Sequence, residues 1–465
     1  MKYAMKSRAF MLMLAVIVSF SFSACGGGRS GASTPPPSNA NEWTWVNGAN
    51  VANQPGVYGT MGTAAPSNVP GGRERAVSWM DASGNFWLFG GIEAASPVAD
   101  KFFNDLWKYS AGEWTWMGGS NMVNQPGTYG TQGMAAPDNV PGARTQAVSW
   151  RDAAGNFWLF GGIGLDSTGG SHLLNDLWKY SAGEWTWMSG SNVGDQAGTY
   201  GTQGTAAPGN VPGARSLATS WTDASGDFWL FGGSGYDSAG TLDYLNDLWK
   251  YSAGEWTWVS GSNTVDQPGT YGTQGTAAPG NVPGARIEAV SWTDASGNLW
   301  LFGGSPGPDG HFNILNDLWK YSGGEWTWVS GSNAADQLGT YGTQGTAAAT
   351  NVPGARVAAA TWTDASGNFW LFGGDGYDSV GALDTLNDLW KYSAGEWTWM
   401  GGSNVVRQAG TYGTLGKAAP NNVPGARFGA VVWTDASGNF WLFGGDGDDS
   451  NGTLGHLNDL WNYEP

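Results

Sequence analysis

Cysteine, histidine and basic residues are scarce in this chain of 465 residues, which has one Cys, three His and 20 Lys and Arg together. A single cysteine excludes a disulfide framework and a cluster of thiolate metal ligands. Three histidines argue against a histidine-rich metal enzyme. The 38 Asp and Glu give a net charge of −18, whereas a nucleic-acid-binding surface needs a basic stripe. We therefore expect no nucleic acid partner.

Glycine and tryptophan are abundant instead, with 77 and 30 residues. Average glycine usage is about 7%, so the glycine content is more than doubled. Together with frequent Tyr and Thr, this composition indicates an all-β protein with many turns.

The first 24 residues have the pattern of a targeting signal. A positive start with Lys2, Lys6 and Arg8 precedes an apolar run over 9–24, which is short for a membrane span of about 20 residues. The run ends at Cys25 and resembles a bacterial lipoprotein signal; the alternative is an ordinary secretory signal followed by a stray cysteine. We predict a signal peptide over 1–24, a lipidated Cys25 with a flexible tether over 25–40, and a location on the cell envelope, outside the cytoplasm.

A repeat fills the rest of the chain. The string Glu-Trp-Thr-Trp recurs at spacings of 70 or 71 residues, beginning at Glu42, Glu113, Glu184, Glu255, Glu325 and Glu396. Self-similarity at a fixed period is typical of propellers and solenoids. Each unit has five tryptophans, so the repeat accounts for all of them.

Four short strands are predicted in each unit from alternation and turn residues. In the second unit they are strand A over 144–150, strand B over 157–161, strand C over 175–180 and strand D over 184–188. Alternation places Trp185 and Trp187 on one face of strand D, where they can pack against a neighbouring sheet.

The unit resembles the kelch repeat. A double glycine ends strand B, and a Tyr is followed after six residues by a Trp, as in Tyr109 and Trp116 or Tyr180 and Trp187. Kelch units have about 50 residues, whereas these have 71, mainly because of the 27 residues between Trp116 and Arg144 and their equivalents. The resemblance implies a kelch-type β-propeller with four antiparallel strands per blade.

The two ends of the repeat region predict how the ring closes. It begins with an isolated strand D (Glu42 to Val46) and ends with a strand C (Asn458 to Tyr463) that has no strand D after it. Six complete blades form if the N-terminal strand joins the last sheet, which also hides edge strands. We predict a six-bladed propeller over 41–465.

The D–A and B–C connections are predicted to lie on one face, because strands in a blade alternate in direction. They contain 16 acidic residues outside the repeated ones and only three basic residues. Such an acidic face favours a cation or a basic partner; the alternative is that the charge serves only solubility.

An arginine begins each strand A, at Arg73, Arg144, Arg215, Arg286, Arg356 and Arg427. A ring of guanidinium groups at a channel mouth could bind a carboxylate ligand. The alternative is a structural pair in each blade with a repeated acid such as the Asp of NDLW, and exact repetition favours it.

Residues that depart from the repeat are the binding candidates. At the start of strand A these are Glu74, Arg75, Gln146 and Glu288. In the B–C loops they are Tyr236 and Tyr377, each followed by an Asp, an arrangement that suits a sugar or a protein interface.

Metal ligands are few, and we expect no cofactor. The segment from Asp446 to Gly452 has oxygen ligands at calcium-like spacing, with Asp446, Asp448 and Ser450 as candidates. It lacks the glycine at position six and the distal Glu of an EF-hand.

These observations favour a lipid-anchored binding protein outside the cytoplasm, with a protein or glycan partner on the acidic face and a membrane contact through the lipid alone. Resemblance to a kelch-type sialic acid mutarotase implies an alternative, an enzyme with a Glu and an Arg near the central channel, for which Glu74, Arg75 and Glu288 are candidates. Kelch-like copper oxidases need several histidines, a tyrosine and a cross-linked cysteine, and Cys25 lies outside the repeat region. A third possibility is an envelope scaffold without a discrete ligand.

Overall fold

A computed structural model describes residues 40–94, 100–307 and 313–465. Cys25 and the predicted signal and tether lie outside these residues. The described part forms strands and turns, and it has no helix that is long and apolar enough to cross a membrane.

Six four-stranded antiparallel sheets, which we call blades 1 to 6, account for most of the strands in the described ranges. The innermost strands A are Val77–Met80, Val148–Arg151, Thr219–Thr222, Val290–Thr293, Ala360–Thr363 and Val431–Thr434. Strands B are Phe86–Phe89, Phe157–Phe160, Phe228–Tyr236, Leu299–Gly304, Phe369–Tyr377 and Phe440–Phe443. Strands C are Leu106–Ser110, Leu177–Ser181, Leu242–Ser252, Leu315–Ser322, Leu383–Ser393 and Leu460–Glu464. The outer strands D are Glu113–Gly118, Glu184–Ser189, Glu255–Ser260, Glu325–Ser330, Glu396–Gly401 and, for blade 6, Glu42–Asn47.

Short strands extend the blades on the side of the B–C loops. They are Ile92–Glu93 with Lys101–Phe102 in blade 1, Arg144–Thr145 with Ile163–Leu165 and Ser171–Leu173 in blade 2, and Arg427–Phe428 with Asp446–Asp448 and Leu454–His456 in blade 6. In blades 3 and 5, Arg215–Ser216 and Arg356–Val357 pair directly with the long strands B.

The N-terminal strand completes the last blade, as the sequence predicts. Glu42–Asn47 pairs antiparallel with Leu460–Glu464, from Glu42 opposite Glu464 to Trp45 opposite Trp461. The Trp43 ring lies 5.4 Å from the ring of Phe372 in blade 5, which is the contact that other strands D make with the preceding blade. The fold is therefore a closed β-propeller.

A ring of backbone hydrogen bonds joins the blades around the central channel. One residue per blade donates its N–H to the carbonyl of the equivalent residue in the preceding blade, at 2.8 to 3.2 Å. These hub residues are Arg75, Gln146, Leu217, Glu288, Ala358 and Gly429. The ring returns to its start after six residues, because Arg75 donates to Gly429. This cycle fixes the number of blades at six.

Each hub residue also interrupts strand A, which the sequence predicts as continuous. Arg75, Gln146 and Glu288 have φ of +50°, +59° and +54°. Residues other than glycine adopt this left-handed backbone conformation at an energetic cost. The turn directs the N–H towards the preceding blade, and the hydrogen bond compensates for part of that cost. In blade 2 the predicted strand over 144–150 is therefore split into Arg144–Thr145 and Val148–Arg151.

Tryptophans of strand D hold neighbouring blades together. Trp185 is buried and its ring lies 5.3 Å from that of Phe89 in blade 1. Trp187, on the same face, contacts Tyr129 edge-on at 5.3 Å. A buried aromatic ring removes 150–250 Å² from water, so these contacts explain how a glycine-rich chain forms stacked sheets.

The sequence predicts that the 27-residue D–A insertions lie on the loop face. In the structure they lie there only in part. Part of each insertion runs along the outer edge of the following blade, where Ala136 bridges Trp185 and the Gly133 N–H donates to the Trp187 carbonyl at 2.8 Å. All six outer strands have such a bridge, including Trp43 with Ala419. The insertions thus cover edges that would otherwise pair with another chain.

Candidate functional site

The hub residues differ between blades, although the residues around them repeat. Alanine follows the hub residue in every blade and lines a channel cavity of about 200 Å³ with the hub residues themselves. The hub side chains Arg75, Gln146 and Glu288 are those that the sequence marks as departures from the repeat. The six blades therefore differ chemically at the centre of the disc.

Arg75 and Glu288 face each other across the channel from blades 1 and 4. Arg75 Nη2 lies 2.5 Å from Glu288 Oε1, and Arg75 Nη1 donates to Glu74 Oε2 at 2.9 Å. The guanidinium also lies over the Phe428 ring at 4.9 Å. One arginine thus holds two carboxylates at the top of the channel.

Two further carboxylates lie next to this pair. Asp375 and Asp446 directly follow the double glycine of strand B in blades 5 and 6, where the other blades have Ile92, Ile163, Ser234 and Ser305. Asp446 is paired with His456 in the sheet, and both Asp375 and Asp446 interact electrostatically with Arg75. We call Glu74, Arg75, Glu288, Asp375, Asp446 and His456 the channel-mouth cluster. Asp375 is not among the site residues predicted from the sequence, although an Asp at a position that is Ile or Ser in four other blades could have indicated it.

Burial and neighbouring negative charges shift the pKa values of the acids in this cluster. Burial, followed by Asp384 and Glu288, raises the pKa of Asp375 to about 6. Burial also raises the pKa of Glu74 and that of Asp446. Burial alone would lower the pKa of Arg75, but Glu288 and Glu74 raise it. The arginine therefore stays charged while the carboxylates exceed it in number.

Four buried polar atoms of the cluster have no hydrogen-bond partner, namely Arg75 Nε, Glu288 Oε1, Asp446 Oδ1 and His456 Nδ1. Glu288 Oε1 nevertheless takes part in the ion pair with Arg75. His456 is 4% exposed, and its other ring nitrogen lies 3.1 Å from the Ala94 carbonyl. Buried polar groups are nearly always paired in native proteins. Arg75 Nε, Asp446 Oδ1 and His456 Nδ1 are thus left without a hydrogen-bond partner within the described residues.

The arginines at the starts of strands A are structural pairs. Arg144 donates from Nη1 and Nη2 to the two oxygens of Asp176, the Asp of NDLW, at 2.6 and 2.7 Å. Tyr129 and Trp178 donate to the same carboxylate at 2.6 and 2.7 Å. Arg73, Arg215, Arg286, Arg356 and Arg427 make the same bidentate contact in the other blades. Because each guanidinium is at most 1% exposed, this ring does not present a surface to a carboxylate ligand.

The tyrosines of the B–C loops lie beside acids of the D–A insertions. Burial and then the neighbouring carboxylates of Asp195 and Asp336, each in the preceding D–A insertion, raise the pKa of Tyr236 and of Tyr377 respectively. Both rings are half-buried. Binding by these tyrosines stays a prediction.

Several acids of the predicted acidic face point inwards. Asp237 is 2% exposed and accepts the N–H groups of Ala239 and Thr241 at 2.8 and 2.9 Å, which closes its loop. Equivalent buried carboxylates are Asp166, Asp378 and Asp449. These four acids organise loops, so the exposed negative charge is smaller than the sequence count.

The residues predicted as calcium ligands have other contacts. Asp448 is 1% exposed and accepts hydrogen bonds from Arg407 Nε and Nη2 at 2.9 and 2.7 Å. Asp446 belongs to the channel-mouth cluster, and Ser450 donates its N–H to the Asn50 carbonyl. Across residues 40–94, 100–307 and 313–465, no three His, Cys, Asp or Glu side chains are grouped so that they could hold a metal ion. Calcium binding stays a prediction.

Comparison with known proteins gives structural similarity alone. No family model matches the sequence, and no curated protein matches it. A structure of YjhT is 13% identical, covers 84% of this chain and 95% of its own, and has a TM-score of 0.48. A novel fungal alcohol oxidase of the AA5 family, in complex with copper, is 14% identical, covers 87% of this chain and 77% of its own, and has a TM-score of 0.46. Similarity of fold does not transfer an activity.

Proposed function

We propose that this chain is a kelch-type propeller that binds a partner protein outside the cytoplasm and receives a cationic side chain of that partner in the channel-mouth cluster. The supporting observation is the excess of buried and half-buried carboxylates over the single Arg75. These carboxylates are Glu74, Glu288, Asp375 and Asp446. A ligand ammonium or guanidinium group would balance this charge.

Electrostatics gives the cluster its preference. Burial, followed by repulsion from neighbouring carboxylates, raises the pKa of Asp375 to about 6. An entering cation favours the charged form of Asp375 and gives the unpartnered Asp446 Oδ1 a donor. Charge-assisted hydrogen bonds of this kind are stronger than neutral ones.

The enzyme alternative, with an acidic sugar as substrate, has less support in this geometry. Its Glu and Arg candidates, Glu288 and Arg75, are bonded to each other, and Arg75 also holds Glu74. A sugar carboxylate would have to displace one of these acids and would meet several more. A cation meets attractive charge at the same place.

Binding of tetralysine amide tests the proposal, measured by calorimetry at pH 8 and low salt, where charge interactions are least screened. We expect Asp375→Asn and Asp446→Asn each to weaken the affinity about tenfold, which corresponds to about 1.4 kcal/mol. Asp138→Asn is the matched control, because Asp138 is exposed in an insertion and its loss removes the same charge.

Two results would overturn the proposal. One is the absence of tetralysine binding. The other is an equal loss of affinity in Asp138→Asn, since binding would then follow the total charge of the protein.

We also propose that Cys25 is lipidated and tethers the propeller to the membrane. The support is the signal-like pattern of residues 1–24 and the position of the single cysteine directly after it. Labelled palmitate should enter the wild-type protein in a bacterial host and should not enter Cys25→Ala. Equal labelling of both proteins would contradict the anchor.

A further inference from the structure

The face of the disc that carries the A–B and C–D turns holds a lysine ammonium group in blades 1 to 5. In each of these blades, a Trp of strand B stands directly opposite a Lys of strand C. The Lys Nζ lies 5.0 to 5.8 Å from the centre of the Trp ring, which is the distance of a cation–π interaction. The pairs are Trp87 with Lys108, Trp158 with Lys179, Trp229 with Lys250, Trp300 with Lys320 and Trp370 with Lys391.

An aspartate of the A–B turn belongs to each of these pairs. Its carboxylate accepts a hydrogen bond from the Trp Nε1 at 2.8 to 3.0 Å, which fixes the ring. In blades 3 and 5 the same carboxylate lies 3.5 and 3.4 Å from the Lys Nζ, in Asp223 with Lys250 and Asp364 with Lys391. Ring and carboxylate therefore hold one ammonium group between them.

Blade 6 has the ring and the carboxylate without the ammonium group. Trp441 Nε1 donates to Asp435 Oδ2 at 3.0 Å, as in the other blades. Asn462 stands opposite Trp441 in place of the Lys, and its Nδ2 donates to the Phe440 carbonyl at 3.4 Å. Within the described ranges, no Lys or Arg lies over the Trp441 ring. Trp441 and Asp435 are both half-buried, so each retains surface that a ligand can contact.

The charge around this position also differs in blade 6. Glu464 is exposed and replaces a Ser that blades 1 to 5 have at the same position of strand C. It lies two residues after Asn462, hence on the same face of the sheet, and it is paired with Glu42. The loss of one Lys and the gain of one Glu make these positions more negative by two charges than in the other blades. Such an excess attracts a cation.

We propose that Trp441 and Asp435 form a binding site for an alkylammonium group of another molecule, with Glu464 adding electrostatic attraction. The same pair of side chains holds an ammonium group of the chain itself in five blades, and blade 6 leaves this place to a ligand. The site lies on the face opposite the B–C loops. It is separate from the channel-mouth cluster, and it does not depend on the proposed function.

The test uses butylammonium at neutral pH, because it has the carbon chain and the ammonium group of a lysine side chain. In the full chain with isotope-labelled tryptophan, the indole N–H signal of Trp441, identified by its loss in Trp441→Phe, reports on this site alone. We expect butylammonium to shift this signal with a millimolar dissociation constant, since an exposed cation–π contact is weak. Uncharged butanol should leave the signal in place.

A second probe distinguishes the two sources of an alkylammonium group. It is the tripeptide Gly-Lys-Gly with both ends blocked. A shift with the tripeptide as well as with butylammonium supports a lysine of a partner protein, whereas a shift with butylammonium alone supports a small amine.

Two variants exchange the residues between blades. Asn462→Lys gives blade 6 the lysine of the other blades, so it should fill the site and abolish the shift without a loss of thermal stability. The reciprocal Lys320→Asn empties the equivalent place in blade 4, and butylammonium should then shift a second indole signal, that of Trp300. Glu464→Ser should weaken the affinity of the blade 6 site about threefold, as expected for an exposed charge.

Four results would overturn the proposal. They are an unshifted Trp441 signal in the wild type, an equal shift with butanol, a wild-type response in Asn462→Lys, and no second shift in Lys320→Asn. Asp375→Asn should leave the Trp441 shift unchanged, so failure of the channel-mouth proposal and failure of this one are distinguishable.

Discussion

Replacing Asp375 by asparagine should make the propeller more stable above about pH 4, with the full gain above about pH 6. The pKa of Asp375 is raised to about 6 in the folded state, whereas an unperturbed aspartate titrates near 3.9. A carboxyl with a raised pKa favours folding while it is protonated and opposes folding once it is ionised. The opposition is absent below about pH 4, grows between pH 4 and 6, and is complete above that.

The magnitude follows from the size of the shift. A difference of about two pKa units corresponds to roughly 2.7 kcal/mol, and the partial exposure of Asp375 lowers this to roughly 1 to 2 kcal/mol through solvent screening. For a domain of this size, about 1 kcal/mol corresponds to roughly 1 °C in the melting temperature. Asp375→Asn should therefore melt about 1 to 2 °C above the wild type at pH 8 and within error of it at pH 4.

Calorimetric melting at pH 4, 6 and 8 measures this effect, with the exposed Asp138→Asn as a control for the lost charge. Melting below the wild type at pH 8 would refute the reasoning, since it would mean that the charged form of Asp375 stabilises the fold. A gain equal at all three pH values would refute it as well.

Two other parts of the fold give predictions. Asp176→Asn should destabilise the protein by about 3–5 kcal/mol, because it leaves the buried Arg144 without its counter-charge. Urea unfolding measures this loss. The control Tyr129→Phe removes one neutral donor to the same carboxylate and should cost only about 1 kcal/mol. Trp43→Ala should lower the free energy of unfolding by about 3–5 kcal/mol and loosen the closing strand. Hydrogen exchange should therefore accelerate in 42–47 and 460–464, while blade 3 stays protected. Unchanged exchange in both segments would contradict closure by this strand.

The fold could be predicted from the sequence because the same structural unit occurs six times. The Glu-Trp-Thr-Trp period marks strand D, and the isolated strand at Glu42 predicts its pairing with Leu460–Glu464, which the structure confirms. The break in strand A was not readable, because left-handed residues such as Arg75 and Gln146 are of types that ordinarily avoid this conformation. It exists because each hub N–H is bonded to the neighbouring blade, and no local sequence pattern specifies that contact.

The candidate site was partly readable. Departures from the repeat mark Glu74, Arg75 and Glu288, which the structure brings together. Asp375 and Asp446 come from strands B of other blades, and their approach to Arg75 depends on the ring geometry. Loop acids such as Asp237 were counted as surface charge, although their side chains turn inwards to hold backbone N–H groups.

Closure by the N-terminal strand also determines the order in which the propeller can fold during synthesis. Among the described strands, the one that completes blade 6 precedes all the others in the chain, and its partner Leu460–Glu464 follows all the others. At about 5–20 residues per second, the tryptophan-rich segment around Trp43 waits roughly 20 to 80 s for its partner. Five blades can assemble during that time, but the disc cannot be sealed until Leu460–Glu464 emerges. Removal of Leu460–Glu464 would therefore leave the strand around Trp43 without a partner and open the ring at blade 6.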